Sequence, residues 1–418
     1  MKICKRLMAI SLVVLLAFSL CGCEDFIKIE LLGMDPMVVA YWKDPAAFVV
    51  FTQEEGAEEE IIMPLEQIIS YESQYPDCNS TWYRDQLTGE ALAIYNSLLY
   101  GMEHNLGYIC LYATDAEETD YWDIRELLSL DSPFLAQNAS LEEEWGSWEA
   151  DEFGQRICFK IPQFNQTQWD KKMQALDACR QVITQIPAEL SLSEQKMEYL
   201  YHYVCDQVTY TELDTNKEQS YLYDAVCTGN TLCDGYSNML MLLFRLAGVE
   251  CCEVMGMPQP EDPALPEEEQ EGHTWVAASL EGQYYYFDAT YEDTREDWPE
   301  EDMYFGVSQK LLNLKYVDYE EYAPVCDDTR RDWSFVHMTV DNITEKQKIY
   351  EIADITDDRA RDGIYITYVL VKQPTTGEMI DAMLDVYIEQ VDHISSVNVS
   401  YMEDLGGVSL LYVVTEPW

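Results

Sequence analysis

Residues 229–237 read Gly-Asn-Thr-Leu-Cys-Asp-Gly-Tyr-Ser, and this stretch decides the fold. Its cysteine, Cys233, directly precedes an apolar run through Leu246 and a helix-ending Gly248, which predicts a helix with Cys233 in its first turn. Free backbone N–H groups and the positive dipole end stabilise a thiolate there, and the same amides can steady a developing oxyanion. A single cysteine is more often a small buried apolar residue, so a nucleophile needs partners.

A hairpin downstream supplies those partners. The segments 274–280 and 283–289 are strand-like, and Glu281-Gly282 between them is a good two-residue turn. This turn pairs Leu280 with Gln283. The register of the whole hairpin then follows by counting outward, and a change of one residue in the turn would reverse the face of every side chain.

Counting outward brings two chemically useful side chains to one face of the sheet. His273 is expected opposite Thr290, and Asp288 is expected diagonal to His273, within reach at ~7–8 Å. A carboxylate in that place fixes the tautomer of the histidine, whose other nitrogen then takes the proton of Cys233. The residues therefore predict a nucleophile, a base and an orienting acid.

Each of these residues also has a structural explanation when it is taken alone. His273 can be a loop histidine at a strand edge, and Asp288 a strand-end carboxylate bonded to backbone amides. The combination favours the triad, because the chain has only five histidines. The four others lack comparable surroundings: His104, His202, His337 and His393.

The motifs resemble the bacterial transglutaminase-like superfamily, whose usual order is C-x-G-Y, H-A-W and D-x-T-W. The matching motifs are Cys233-Asp234-Gly235-Tyr236, Gly272-His273-Thr274-Trp275 and Asp288-Ala289-Thr290-Tyr291. Thr274 stands where alanine is usual, and Val276 where asparagine often follows the tryptophan. These departures put the orientation of His273 in question and leave the triad groups in place. Papain itself fits less well, because its nucleophile lies near the mature N-terminus.

More weakly, two upstream stretches resemble the helical region that precedes the domain in exported relatives. They are Tyr83-Arg84-Asp85-Gln86-Leu87 and Asp131-Ser132-Pro133-Phe134. A second donor to the oxyanion is not identifiable from the residues. Tyr210 or Tyr223 are candidates, although each is more often a core or surface aromatic.

The resemblance implies an α+β fold with a papain-like transglutaminase core, in which the nucleophile helix packs on an antiparallel sheet. It also implies attack of Cys233 on an amide or peptide carbonyl. Some transglutaminases use calcium, but the sequence shows no ligand spacing for it, and we expect no cofactor and no metal. Hydrolysis is favoured over transfer to a lysine-like amine, which would make a cross-linking acyltransferase. The rival hypothesis is a catalytically inactive binding or scaffolding lipoprotein.

The N-terminus is typical of a bacterial lipoprotein signal. Three basic residues precede an apolar run that is too short to span a bilayer comfortably, and Leu20-Cys21-Gly22-Cys23 resembles a lipobox. Cys23 is then the lipidation site and the first mature residue. An ordinary secretory signal is the alternative. We expect an exported protein that is anchored to the outer face of the cell membrane by a lipid on Cys23.

The composition limits the partners. Formal net charge is −53, with 78 acidic against 25 basic residues, so nucleic acid is an unfavourable partner and basic substrates are favoured. We expect a protein or peptide substrate, which can belong to the cell envelope. Neither CxxC pairs nor EF-hand spacing mark a zinc or calcium site, and we interpret the acidic runs as solvated surface.

Changes of pattern along the chain predict four parts. Residues 1–22 are the signal peptide and residues 23–190 a mainly helical region. Residues 191–330 are the catalytic domain, which opens at a capping box formed by Ser191 and Glu194. Residues 331–418 follow the order strand, helix, strand, helix, strand, strand, which predicts a small α+β unit. The sequence leaves the pairing of the cysteines open.

Overall fold

The computed structural model describes residues 48–54, 57, 59–112, 121–136, 147–151, 154–161, 163–211, 221–258, 272–294, 303–313, 316–319, 322–391, 394–402 and 407–417. The predicted signal peptide, Cys23, His393 and most of the acidic loop between 258 and 272 lie outside the described residues. The chain divides into two compact units, residues 1–170 and 171–418. Each is described by itself.

The first unit combines a five-stranded sheet with helices. The strands are β1 (Phe48–Thr52), β2 (Ile61–Pro64), β3 (Tyr108–Tyr112), β4 (Ser147–Asp151) and β5 (Gly154–Lys160). The helices are α1 (Leu65–Ile69), α2 (Gly89–Glu103), α3 (Tyr121–Asp131), α4 (Pro133–Ala136) and the start of α5 (Gln166–Gln185). The strands follow the order β2-β1-β3-β5-β4, and the neighbouring pairs are antiparallel.

Helices cover more of the described residues of the N-terminal region than strands do, but the five-stranded sheet was not expected from the sequence. The sequence from Met37 to Thr52 is β-like, and strand β1 falls inside this stretch, but the other four strands were not predicted. Strand β1 is buried along its whole length, as Val49 and Phe51 show, so its sequence carries no polar alternation. A disulfide between Cys110 and Cys158 ties β3 to β5.

The two weakly matching upstream stretches meet at one buried carboxylate. The backbone N–H groups of Tyr83 and Arg84 donate to Asp131 at 3.1 and 3.0 Å, and the Tyr95 hydroxyl donates to it at 2.9 Å. Asp131 is fully buried at the end of α3. Its carboxylate therefore fixes the turn at residues 83–84 by satisfying amides that would otherwise be buried without acceptors.

The second unit carries the motifs. Its elements before residue 320 are α5 continued, α6 (Ser193–Gln207), β6 (Thr209–Tyr210), α7 (Tyr221–Tyr223), β7 (Asn230–Thr231), α8 (Cys233–Leu246), β8 (Cys251–Pro258), β9 (His273–Leu280), β10 (Gln283–Phe287), α9 (Ala289–Asp293), β11 (Phe305–Val307), α10 (Gln309–Leu312) and β12 (Tyr316–Tyr319). A π-helical turn follows α7 over Asp224–Thr228. The sheet order is β11-β10-β9-β8-β12, and its pairs are antiparallel.

Helix α8 packs on this sheet, as the α+β papain-like fold requires. Its residues 235–244 are buried on every side, because the helix lies in the core. Gly235 lets β7 approach its first turn: a Cβ at Gly235 would lie 2.1 Å from the Oγ1 atom of Thr231. The glycine of the C-x-G-Y motif is therefore a packing requirement, which holds Cys233 at a fixed distance from β7.

Helix α6 begins differently from the prediction. Its N-cap is Leu192, and the side chain of Gln195 accepts a hydrogen bond from the Leu192 backbone N–H at 3.4 Å. Glu194 instead forms an ion pair with Arg331 at 2.5 Å. The helix was predicted, but the capping box of Ser191 and Glu194 is corrected, because the cap lies one residue later.

The end of the chain follows the predicted order of elements. These are β13 (Met338–Val340), α11 (Lys346–Arg361), β14 (Ile366–Val371), α12 (Gly377–Tyr387), β15 (Ile394–Met402) and β16 (Ser409–Pro417). They form a separate sheet of order β13-β14-β16-β15, and both helices bury apolar residues against it. The interpretation of this stretch as α+β is thus confirmed, while the predicted domain limits remain a prediction.

Candidate active site

Cys233 is the first residue of α8. The residue before it, Leu232, has extended backbone geometry and is the N-cap. Cys233 is partly exposed, and its Sγ lies 3.8 Å from Oδ2 of Asp234. The thiol therefore lies at the positive end of a 14-residue helix, next to backbone N–H groups that have no partner within the helix itself.

His273 is the first residue of β9, and its imidazole contacts the predicted acid. The Nε2 atom lies 2.9 Å from Oδ2 of Asp288, with the two side chains 13% and 0% exposed. The ring stacks against Trp275 at 5.9 Å between centroids and meets Tyr291 edge-on at 6.2 Å. These contacts hold the plane of the imidazole.

Asp288 lies where β10 ends, and it is the N-cap of α9. Its Oδ1 accepts from the Tyr291 N–H at 3.0 Å, and its backbone N–H donates to the Tyr304 carbonyl at 3.1 Å. The Tyr201 hydroxyl donates to the Asp288 carbonyl at 3.0 Å. Both the side chain and the backbone of Asp288 are thus fixed, which aims its other carboxylate oxygen, Oδ2, at His273.

The predicted hairpin register is found, with one correction. Leu280 pairs with Gln283 and Val276 with Phe287, as counting outward from the turn requires. The ladder ends at Phe287, so Thr290 does not lie opposite His273 in the sheet. The chain turns into α9 instead, because Asp288 caps a helix there.

Burial by itself lowers the pKa of His273, but the neighbouring groups reverse that effect. The Asp288 carboxylate, through its charge and its hydrogen bond, and a hydrogen bond with Cys233 together raise the pKa to about 10. The imidazole is therefore protonated at neutral pH. Because Nε2 is bonded to Asp288, Nδ1 is the nitrogen left for the sulfur, and the arrangement suits a thiolate–imidazolium pair.

Two polar residues near the sulfur were not predicted as site residues. Asp234 is adjacent to the thiol, and burial raises the pKa of its carboxyl while the charge of His273 lowers it. The phenol of Tyr221 has its pKa raised by burial first and then by Asp234 and Cys233. Tyr221 lies outside the three sequence motifs, so its position near Cys233 is evident only from the fold.

The two tyrosines named from the sequence are placed elsewhere. Tyr210 is 40% exposed in the short strand β6. The ring of Tyr223 lies under the ammonium group of Lys171, 5.2 Å from its centroid. Tyr221, whose pKa is raised in part by Cys233, is thus the tyrosine that lies near the sulfur.

A search of the described residues finds no group of three His, Cys, Asp or Glu side chains with the geometry of a metal site. In the same part of the chain, no helix is long and apolar enough to cross a membrane. Besides Cys233, seven cysteines of the described residues are not joined in a disulfide: Cys78, Cys179, Cys205, Cys227, Cys251, Cys252 and Cys326.

Comparison with known proteins gives a family for part of the chain. Residues 180–289 match the model of the Transglutaminase-like superfamily, and Cys233, His273 and Asp288 all lie inside this range. Comparison with curated proteins gives no match.

Among solved structures, the chain is similar to the periplasmic domain of TgpA from Pseudomonas aeruginosa, with 15% identity and a TM-score of 0.23 over 33% of this chain and 55% of that one. It is similar to a proposed cysteine protease from Cytophaga hutchinsonii, with 12% identity and a TM-score of 0.22 over 36% and 63%. A TGase matches with 15% identity and a TM-score of 0.23 over 46% and 53%. The chain thus spans less than two thirds of each.

The motifs, their placement at one helix end and one sheet edge, and the family match agree on residues 180–289. Residues 180–289 are therefore similar to the Transglutaminase-like superfamily, and they lie within an α+β fold.

Proposed function

We propose that the chain is a cysteine enzyme that cleaves peptide or amide bonds through Cys233, His273 and Asp288. One observation carries the proposal. His273 is bonded through Nε2 to the buried Asp288 at 2.9 Å, and Cys233 is close enough to raise the pKa of the same imidazole, so one ring lies between the acid and the nucleophile. A structural histidine needs only one of these contacts.

The chemistry follows from these three groups. The Cys233 thiolate attacks the carbonyl carbon, and the N–H groups at the start of α8 steady the oxygen that gains charge. The His273 imidazolium gives its Nδ1 proton to the departing nitrogen, the C–N bond breaks, and a thioester forms. A second nucleophile then loses its proton to His273 and releases the acyl group. Asp288 keeps the ring oriented and stabilises its charged form throughout.

The second nucleophile decides between two activities. Water gives an acid and makes the protein a peptidase or amidase, which we favour. A lysine-like amine gives a new amide and makes it a cross-linking acyltransferase. A catalytically inactive binding or scaffolding lipoprotein is the third alternative, and the joint contacts of His273 argue against it.

We also propose that the protein acts outside the cell, held to the membrane by a lipid on Cys23. The support is the N-terminal sequence, in which basic residues, a short apolar run and a lipobox-like Leu20–Cys23 follow one another. The net charge of −53 favours basic protein or peptide substrates, since opposite charge speeds their encounter with the protein.

The activities can be separated with one substrate. The ectodomain from residue 24 onward is incubated with reduced and alkylated lysozyme, an unfolded basic protein, and a biotinylated primary amine, beside a Cys233→Ala variant. Lysozyme fragments that need Cys233 and carry no biotin indicate a hydrolase, and biotin attached to lysozyme indicates a transferase. If both proteins give the same products, the favoured activity on protein substrates is wrong, and the binding alternative gains support.

A further inference from the structure

Besides Asp288, a second buried carboxyl group contacts the helix that carries the nucleophile. Glu253 on β8 is 4% exposed, and its strand neighbours β9, which begins with His273. Its side chain points at α8, where Asn238 Nδ2 donates to Oε1 and Oε2 at 2.9 and 3.1 Å. Burying a carboxyl group in a core costs free energy unless hydrogen bonds compensate for the lost water.

Ser237 connects this carboxyl group to the first turn of α8. Its hydroxyl is hydrogen-bonded to Glu253 and lies 3.0 Å from the Cys233 carbonyl and 3.1 Å from the Asp234 carbonyl. The same hydroxyl is 3.0 Å from Oγ1 of Thr274. Ser237 thus touches the residue that carries the sulfur and the residue that follows His273 in β9.

The number of protons restricts how this cluster can be bonded. A serine hydroxyl has one proton, but Ser237 faces two backbone carbonyls and a carboxyl oxygen. If Glu253 is protonated it donates to Ser237, whose own proton then reaches a carbonyl of the first turn. If Glu253 is ionised, its oxygen competes for the Ser237 hydroxyl proton. The first-turn carbonyl then loses the hydrogen bond from Ser237.

We infer that Glu253, Ser237 and Thr274 form a polar clamp that positions the first turn of α8, and with it Cys233, against the strand that carries His273. These are positioning residues, because none of them touches the sulfur or the imidazole in the contacts above. The inference rests on the proposed function, since a fixed distance between sulfur and imidazole matters only if the two react together.

The charges around the clamp agree with a neutral Glu253. Burial and, to a smaller extent, the charge of Asp234 raise the pKa of its carboxyl, which reaches about 8 against the opposing hydrogen bonds from Ser237 and Asn238. The groups that face it are Asp234, Ser237 and Asn238 from α8 and, through Ser237, Thr274 from β9. The clamp is therefore complete below pH about 8 and is weakened above it.

Thr274 has a specific place in the clamp. The superfamily pattern has alanine at this position, which cannot bond to Ser237. The threonine hydroxyl adds a bond between α8 and β9. Thr274 replaces the usual alanine next to a buried polar residue on the adjacent strand, Glu253. Both residues contact the Ser237 hydroxyl, which explains why a hydroxyl is found at position 274.

The test measures the rate of iodoacetamide labelling at Cys233 by mass spectrometry, from pH 6 to 9.5, in the soluble ectodomain. The variants are Glu253→Gln, which keeps the shape and cannot ionise, Glu253→Leu and Thr274→Val, which remove the polar contacts, and His273→Ala. Circular dichroism checks that each variant is folded. Thr274→Val changes only one hydroxyl, so it keeps the test open if Glu253→Leu does not fold.

We expect Glu253→Gln to label Cys233 within about twofold of the wild type at pH 7 and to exceed it by roughly threefold or more at pH 9, where Glu253 is ionised only in the wild type. Thr274→Val should label about threefold more slowly than the wild type at pH 7. If Glu253 only packed in the core, the ratio of the labelling rates of Glu253→Gln and wild type would be the same at pH 7 and pH 9.

The outcomes distinguish this inference from the proposed function. Fast wild-type labelling with identical pH profiles for wild type and Glu253→Gln overturns the clamp and leaves the enzyme proposal intact. Wild-type labelling as slow as in His273→Ala overturns both, because there is then no reactive pair to position.

Discussion

Two buried aspartates, one in each unit, look alike by most criteria. Asp131 and Asp288 are both completely buried, both lie at the end of a helix or strand, and both accept hydrogen bonds from backbone N–H groups. They differ in their remaining partner. The Tyr95 hydroxyl donates to Asp131 at 2.9 Å, whereas Asp288 has His273 at the same distance.

This difference decides what each carboxylate can do. A phenol that donates to Asp131 keeps its own proton at neutral pH, because burial and Asp131 raise the pKa of Tyr95 well above its usual value. An imidazole beside Asp288 can gain and lose a proton and pass it to a neighbour. Burial and hydrogen bonds from the backbone are therefore not enough to identify a catalytic carboxylate. A catalytic carboxylate also needs a partner that exchanges protons near neutral pH and lies beside a nucleophile.

The largest expected effect comes from Asp288→Asn. The amide N–H of the new side chain would face Nε2, which must then accept, so the ring keeps its proton on Nδ1 and is neutral. We expect iodoacetamide labelling of Cys233 at pH 7 to fall by about 100-fold. The matched control is Asp131→Asn, which should leave this rate within about twofold. Equal losses in the two variants would remove the distinction between the aspartates.

The second prediction concerns stability and Asp131. Burial raises the pKa of its carboxyl to about 6 from an ordinary 3.8, against the opposing hydrogen bonds. Between these pH values the unfolded chain is ionised while the folded chain keeps its proton, so the stability of the first unit falls as pH rises from about 4 to about 6.

The loss should approach about 3 kcal/mol. Hydrogen exchange of the Tyr83 and Arg84 amides measures it, since these amides donate to Asp131. In Asp131→Asn the pH dependence should disappear from this window. An unchanged pH dependence in that variant would assign it to another group.

A smaller effect is expected from Gly235→Ala. The added Cβ would lie 2.1 Å from Thr231 Oγ1, so β7 and the first turn of α8 must separate. We expect a destabilisation of about 1–3 kcal/mol, with slower labelling of Cys233. Adding Thr231→Ala removes the two nearest clashing atoms, Oγ1 and Cγ2, and leaves Cβ at 2.6 Å, so it should recover part of both losses in urea unfolding and in labelling. Additive losses would show that the close approach is not the cause.

The sequence predicted the reacting groups and the hairpin that brings two of them together. The turn at Glu281-Gly282 has positive φ at both residues, 54° and 80°, which is the geometry of the expected two-residue hairpin. Because that turn fixes the register as far as Val276 and Phe287, counting brought Asp288 close to His273, although the ladder ends before the counted pair of His273 with Thr290. The placement of Cys233 at a helix start followed equally from local pattern.

Other features depend on contacts between distant segments, which a local pattern cannot give. Glu253 lies in Cys-Cys-Glu-Val-Met, which predicts a strand and says nothing of a carboxyl group that faces a helix. Tyr221 and the sheet of the first unit were missed for the same reason. The cap of α6 was misplaced by one residue, since Ser191 and Gln195 both belong to plausible capping patterns.

The central claim is that His273 activates Cys233, and the most direct test is the rate of iodoacetamide labelling at Cys233 against pH in the ectodomain. The partly exposed Cys227, whose pKa is raised by burial and Asp224, serves as the internal reference, and His273→Ala as the control. We predict that at pH 6–7 Cys233 is labelled at least about tenfold faster than Cys227 and that His273→Ala abolishes the difference. Equal labelling of the two cysteines in the wild type would contradict the claim and leave a binding protein with a transglutaminase-like fold.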